Sequence, residues 1–290
     1  MRPRVGHDRL GRLGLGLVRL LPIVWLFILF VCPLAITVAY AFANSTYGGV
    51  SLGFTLTNFQ QALSGFYLTI FLRTMEFAAV GTTACLIVGM PVAYYLARKV
   101  QRWRPLLLVL LLVPFWTSFL IRTLAWLTLL GTDGPIRSAL HGLGLLSGYV
   151  NIVDTQKAVL IGIVYGYLPL MTLPLVVAFE RVAPELIEAS KDLGAGRWRT
   201  FFKVTLPVAK PGVITAILLT AVPMTGEYVI PALLGGNKGV LLGGLIAGEY
   251  TVALNFALGS AMAVLILVVL GAVVIVSTRS LRGFAEGRAT

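Results

Sequence analysis

"EASKDLGAGRWRTFFKVTLPV", residues Glu188–Val208, is a compact charged stretch punctuated by Gly194 and Gly196 and closed by Pro207. It interrupts a chain that is 58% hydrophobic and only 12% charged. Soluble domains carry about 45–50% apolar and about 25% charged residues. With 290 residues and a mean hydropathy of +0.92, the chain has more apolar surface than a soluble core could conceal, and its bulk is expected inside a lipid bilayer. The quoted stretch is then a loop between spans, and the side it lies on decides what it can touch.

Crossing a bilayer as a helix takes about 20 apolar residues. Six runs qualify: Leu20–Ala43, Phe77–Ala97, Pro105–Leu130, Ala158–Phe179, Gly212–Leu234 and Phe256–Thr278. The first has a basic leader, as a secretory signal does, but its apolar run exceeds the ~7–15 residues of a signal core, and it reads as a retained span. Lysine and arginine collect on one side. The leader holds Arg2, Arg4, Arg9, Arg12 and Arg19; the loop after span two holds Arg98, Lys99, Arg102 and Arg104. Arg181, Lys191, Arg197, Arg199, Lys203 and Lys210 follow span four, and Arg279, Arg282 and Arg288 follow span six. The opposite side holds Arg73, Arg137, Lys157 and Lys238. Positive charge stays in the cytoplasm, so both termini are expected there. An all-α integral membrane protein follows, with a cytoplasmic tail at 1–19, six spans over 20–278 and a second tail at 279–290.

The same distribution explains the net charge of +12 without nucleic acid, because the cations are spread over four segments and form no single stripe. Cys32 and Cys85 both fall in apolar runs and read as small helix residues. His7 and His141 are too few and too scattered for a metal site.

The opening stretch lies in the longest cytoplasmic loop, 180–211. Ala183-Pro184-Glu185 reads as a helix start: proline suits the first helical position, and Glu185 and Glu188 complement the positive end of the dipole. Leu186, Ile187 and Ala189 would supply apolar contact, with Lys191 and Asp192 in water. Gly194 is a stop signal. A second amphipathic segment, Trp198–Val204, runs to Leu206-Pro207, and Pro211 opens span five. Two short helices around a glycine hinge fit a docking helix for a cytoplasmic partner, and they equally fit a helix lying on lipid headgroups.

Glu188-Ala189-Ser190, three residues, Gly194, nine residues, then Val204-Thr205-Leu206-Pro207 resembles the EAA loop of ABC importer permeases. Ser190 and Val204 depart conservatively from the alanine and isoleucine of that pattern. The position between the fourth and fifth of six spans also matches. "GMPVAYYLARK" (Gly89–Lys99), "VPFWTSFLIRTLAWLTLLG" (Val113–Gly131) and "GEYVIPALLGG" (Gly226–Gly236) are similar to the spermidine/putrescine group of that family. The resemblance implies a type I permease fold in a prokaryotic inner membrane. It implies a coupling helix, carried by Glu185, Glu188, Ala189, Ser190, Asp192, Gly194, Val204, Leu206 and Pro207, that seats in an ATP-binding subunit. It further implies a second, related permease chain and an extracytoplasmic solute-binding protein. A polyamine is the implied solute. No G-x-x-x-x-G-K-[ST] phosphate loop is present, so ATP hydrolysis is expected from another chain and no catalytic residue or cofactor is expected in this one.

Two charges fall inside spans. Arg122 and Glu227 are each placed roughly 23–26 Å from the cytoplasmic side at 1.5 Å per residue. Charges at such depth face a partner or a watery path, so the two could pair or line the route of the solute. Pro223, Gly226 and Pro231 interrupt the helix around Glu227, as in transporter cavities. Trp116 and Tyr228 complete the candidate path, since a cationic solute would meet aromatic faces as well as the acid, with core packing the stronger alternative reading of Trp116. An ion-coupled carrier for a small cationic solute is the alternative, but it needs midplane carboxylates, and Glu227 stands alone. An intramembrane protease needs a buried Ser–His or Asp pair, and both histidines lie outside the spans.

Overall fold

The computed structural model describes residues 22–51, 53–100, 102–144, 151–236 and 239–286. Among them, five helices are long and apolar enough to cross a membrane, and a sixth crossing arises if a sharply bent pair counts as one span. The basic leader 1–19 lies outside the described residues.

The chain divides into two compact units. Met1–Ser64 with Gly248–Leu265 forms one, and Gly65–Ala247 with Ile266–Thr290 forms the other. In the first, helix α1 (Pro22–Ala41) is followed by a two-stranded antiparallel hairpin, β1 (Asn44–Thr46) and β2 (Gly49–Ser51), and a short helix α2 (Thr57–Ala62). The buried Asn58 amide closes α1 by donating to the carbonyls of Ala41 and Ala43 at 3.0 and 2.8 Å. Phe42 stacks on Phe54 with ring centroids 5.1 Å apart.

The second unit is built on three helices: α3 (Gly65–Arg98), α7 (Gln156–Glu180) and α9 (Arg197–Thr225). Their shared core runs through Cys85 and Ala93 of α3, Ile163, Met171 and Phe179 of α7, and Val213, Ala216 and Met224 of α9. Lipid gives apolar helices no hydrophobic reason to associate, so close approach has to come from small residues. A Cβ at Gly212 would stand 2.3 Å from the Ala178 Cβ, and one at Gly89 would stand 3.0 Å from the Thr172 hydroxyl. Two buried hydroxyls of this core are satisfied within their own helices: Thr172 and Thr220 each donate to the carbonyl four residues back, at 2.7 and 2.9 Å.

Between α3 and α7 the chain forms α4 (Arg104–Leu112), a 3₁₀ turn (Val113–Trp116), α5 (Phe119–Leu130) and α6 (Pro135–Gly142). The two arms, Arg104–Trp116 and Phe119–Gly142, meet at 90°. Pro114 has no N–H to continue the ladder, and Thr117 turns extended while its hydroxyl donates to the Pro114 carbonyl at 2.7 Å. The expected third span is therefore broken near its middle.

Proline is accommodated differently in α1 and α9. A π turn at Phe27–Val31 ends just before Cys32-Pro33, and another at Phe201–Thr205 ends just before Leu206-Pro207. In each, the residue before the proline donates five residues back, to Phe27 and Phe201 respectively. The wider turn draws the preceding carbonyls away from the proline ring, which would clash with them in a regular helix. The second of these turns carries α9 unbroken from the loop into span five. The sequence reading started that span at Gly212, with a separate short helix before it.

After α9 come α10 (Val229–Leu234), α11 (Leu242–Thr251) and α12 (Phe256–Glu286). The helix of the last span continues beyond Thr278, into the stretch read as a tail.

Candidate functional site: the loop hairpin and the broken fifth span

Helix α8 (Pro184–Asp192) starts with Pro184 at its first position and Glu185 in its first turn. It ends in a tight turn: the amides of Leu193, Gly194 and Ala195 donate to the carbonyls of Ala189, Lys191 and Ser190 at 3.1, 2.8 and 3.0 Å. Gly194 sits at φ +78°, a left-handed conformation that side chains resist. The chain then reverses into α9, and the Ser190 and Thr200 hydroxyls, both buried, meet at 3.0 Å. That bond joins the two arms of a helical hairpin.

The hairpin is tied to the spans by its inner face. Phe201 packs edge-on against Tyr94 of α3 at 5.2 Å and lies 6.0 Å from Phe179 of α7. Thr205 is fully buried, Val204 and Leu206 are half-buried, and Pro207 is exposed. Two more contacts brace the ends of the spans: Arg104 forms an ion pair with Glu180, and Arg98 donates to the carbonyls of Phe179 and Val182.

The outer face is different. Glu185, Glu188, Ala189 and Asp192 are exposed, and beside them Leu193, Trp198, Leu186 and Phe202 are exposed as well. Trp198 stacks on Phe202 at 6.1 Å. Leu186, Ile187 and Ala189, expected to supply apolar contact, do not share one face. In the structure the inner face of α8 is Ile187 and Ser190 alone, and Leu186 and Ala189 point outward. An apolar patch ringed by acids and cations on a loop is the kind of surface that meets another molecule.

The second candidate region is the break between α9 and α10. Glu227 is 7% exposed. Its Oε1 accepts from the Val229 and Ile230 amides at 2.8 and 3.1 Å, which caps α10, and its Oε2 accepts from the Tyr167 hydroxyl of α7 at 2.8 Å. Pro231 has no N–H to offer the Glu227 carbonyl, so the helix cannot run through. Gly243 allows α11 to back the break: a Cβ there would lie 2.6 Å from the Gly226 carbonyl oxygen. The α11 start is held in turn by the Leu242 amide, which donates to the Thr74 hydroxyl at 2.8 Å.

Arg122 and Glu227 do not form an ion pair. The Arg122 guanidinium lies over the rings of Phe115 and Phe119 at 4.9 and 5.5 Å, in a cleft with Trp126 and Tyr165. Aromatic faces partly compensate its charge. Trp116 is 80% exposed in the turn of the third span, and Tyr228 is half exposed next to the capped carboxylate. The structure thus brings Glu227 and Tyr228 together and leaves Trp116 and Arg122 on other elements. Tyr167, Thr200, Phe201 and Tyr94 went unnoticed in the sequence. Each is an ordinary residue of an apolar or amphipathic run, and only the packing of α3, α7 and α9 reveals its partner.

Spans packed through small residues, with breaks in the third and fifth, are features of membrane transporters. The chain belongs to the family of binding-protein-dependent transport system inner membrane components, which matches residues 86–284. It is a multi-pass bacterial inner-membrane protein and a permease subunit of an ABC importer, a transport subunit and not a catalyst. Among its relatives, it is 36% identical to the spermidine/putrescine transport system permease protein PotB of Escherichia coli (strain K12), over 80% of this chain and 85% of that one. The corresponding PotB of Haemophilus influenzae is 35% identical, over 78% and 79%. The fold is similar to that of a chain from a bacterial ABC transporter involved in the import of the acidic polysaccharide alginate, with a TM-score of 0.74, 18% identity and coverage of 95% and 97%.

Proposed function

We propose that this permease moves a polyamine such as spermidine or putrescine inward, as one of two membrane chains of its transporter. The observation that carries the substrate is the 36% identity, over four-fifths of the chain, to a spermidine/putrescine permease. An extracytoplasmic binding protein delivers the solute, and a separate ATP-binding subunit drives the cycle. The second membrane chain is a related permease of different sequence.

Residues 20–278 form the permease domain, and both tails, 1–19 and 279–290, lie in the cytoplasm, as the distribution of lysine and arginine requires. The loop 180–211 is then cytoplasmic and is the coupling element. Its docking surface is the exposed face of Glu185, Glu188, Ala189 and Asp192 with Leu186, Leu193 and Trp198 beside it. Ser190 and Gly194 shape the hairpin. Val204, Leu206 and Pro207 lie in α9 where the loop hairpin runs into span five, so a push on α8 reaches the spans through Phe201, Tyr94 and Phe179. Trp116, Arg122, Glu227 and Tyr228 are the candidate path residues, with Glu227 the best placed to meet a cation.

Co-purification in mild detergent from the native membrane tests this reading. An ATP-binding subunit, a second six-span chain and a binding protein stabilised by polyamine are expected. Glu188→Lys should lose the ATP-binding subunit while still inserting in the membrane. A variant that retains that subunit and transports normally would remove Glu188 from the docking surface.

A further inference from the structure

The break in the fifth span leaves three oxygens close together. Tyr167 lies about midway along α7, and its hydroxyl is 2.8 Å from Glu227 Oε2 and 3.5 Å from the Pro223 carbonyl oxygen. In an unbroken helix the Pro223 carbonyl would accept from the Glu227 amide. Here the Glu227 amide turns to Met224 at 3.3 Å, and the one backbone amide that reaches the Pro223 carbonyl is that of Gly226 at 3.2 Å. Glu227 Oε1 is occupied by two backbone amides, whereas Oε2 has a single donor, the tyrosine.

We infer that Glu227 Oε2, the Tyr167 hydroxyl oxygen and the Pro223 carbonyl form a recognition site for a primary ammonium group. The inference rests on the polyamine reading above and names where such a solute is gripped. A –NH₃⁺ group carries three N–H donors and no acceptor, and it meets here three acceptor oxygens, one of them charged. Tyr167 has one proton for two acceptors. When the ammonium arrives it donates to the Pro223 carbonyl and to the second lone pair of Oε2, and the tyrosine oxygen, its own proton still on Oε2, becomes the third acceptor. Without the solute, Tyr167 keeps the buried carboxylate satisfied, which avoids an unpaired charge at membrane depth. A terminal nitrogen that is fully methylated has no N–H left and loses the hydrogen bonds while keeping its charge.

The test uses the complete transporter in vesicles, with its ATP-binding subunit, both permeases and saturating binding protein. Uptake rates are compared for spermidine and for spermidine permethylated at its terminal nitrogens. The binding protein is the same throughout, so a change in the ratio between variants reads the permease alone. The wild type should favour the primary amine by about tenfold or more. Tyr167→Phe, which keeps the ring and removes one oxygen, should cut that ratio at least threefold. Glu227→Gln, which retains an acceptor for the Val229 and Ile230 amides, should cut it further. A residue that merely supports the helices would slow both compounds equally, and an unchanged ratio in Tyr167→Phe overturns the site even if Glu227→Gln fails to accumulate. Wild-type uptake with an unchanged ratio refutes the site and leaves the polyamine reading standing; no wild-type uptake of either compound refutes both.

Discussion

The Ser190–Thr200 bond offers a test of how the loop hairpin is held. Both hydroxyls are buried and each is the other's partner at 3.0 Å. Ser190→Ala leaves the Thr200 hydroxyl without it, and Thr200→Val does the reverse. A buried hydroxyl deprived of its partner costs about 1–3 kcal/mol. The lower end applies here, because a helical threonine or serine can turn back to the carbonyl four residues before it. Each single change should then destabilise the closed hairpin by about 1 kcal/mol, roughly a fivefold rise in opening. The double change removes both polar groups from similar volume and should lie near the wild type, giving a coupling energy of about 2 kcal/mol. Hydrogen–deuterium exchange of the intact transporter reads this directly at the amides of Leu193, Gly194 and Ala195, which are bonded only in the closed turn. If the two costs simply add, with the double variant opening about 25-fold, the hydroxyls are not partners and the reasoning fails.

Gly194→Ala places a Cβ at φ +78° and should open the hairpin by about 1 kcal/mol, with Gly194→Asn costing less; the same exchange measurement ranks them. Gly212→Ala puts a Cβ 2.3 Å from that of Ala178 and should destabilise the α7–α9 pair by about 1–3 kcal/mol, seen as a lower unfolding temperature in detergent. An unchanged midpoint would mean that the two helices separate freely at that level.

Hydropathy located the five long apolar helices and the bent pair between the second and third of them, but not their ends. The second expected span opened at Phe77, yet its helix begins at Gly65, because Arg73 and Glu76 lower the hydropathy without disturbing the backbone. The break in the third span was invisible to an apolar window, although Pro114 was there to be read. Lys203, Pro207, Lys210 and Pro211 made the start of α9 look like loop, and a π turn allowed it to remain helix. The loop hairpin was legible because its signals are local: proline at the start, glycine at the turn. Which face of it turns outward was not, since that depends on where α3 and α7 stand. Glu227 was conspicuous as an acid among apolar residues. Its hydroxyl partner, 60 positions away on another helix, could only come from the fold.

The central claim is ATP-driven import of a polyamine through this chain. Its most direct test is uptake of labelled spermidine into vesicles that hold the assembled transporter and are loaded with ATP. Uptake that requires hydrolysable ATP, the ATP-binding subunit and the binding protein is the expected result. Uptake by this chain alone, without ATP and driven by an ion gradient, would contradict the account and make the protein a secondary carrier.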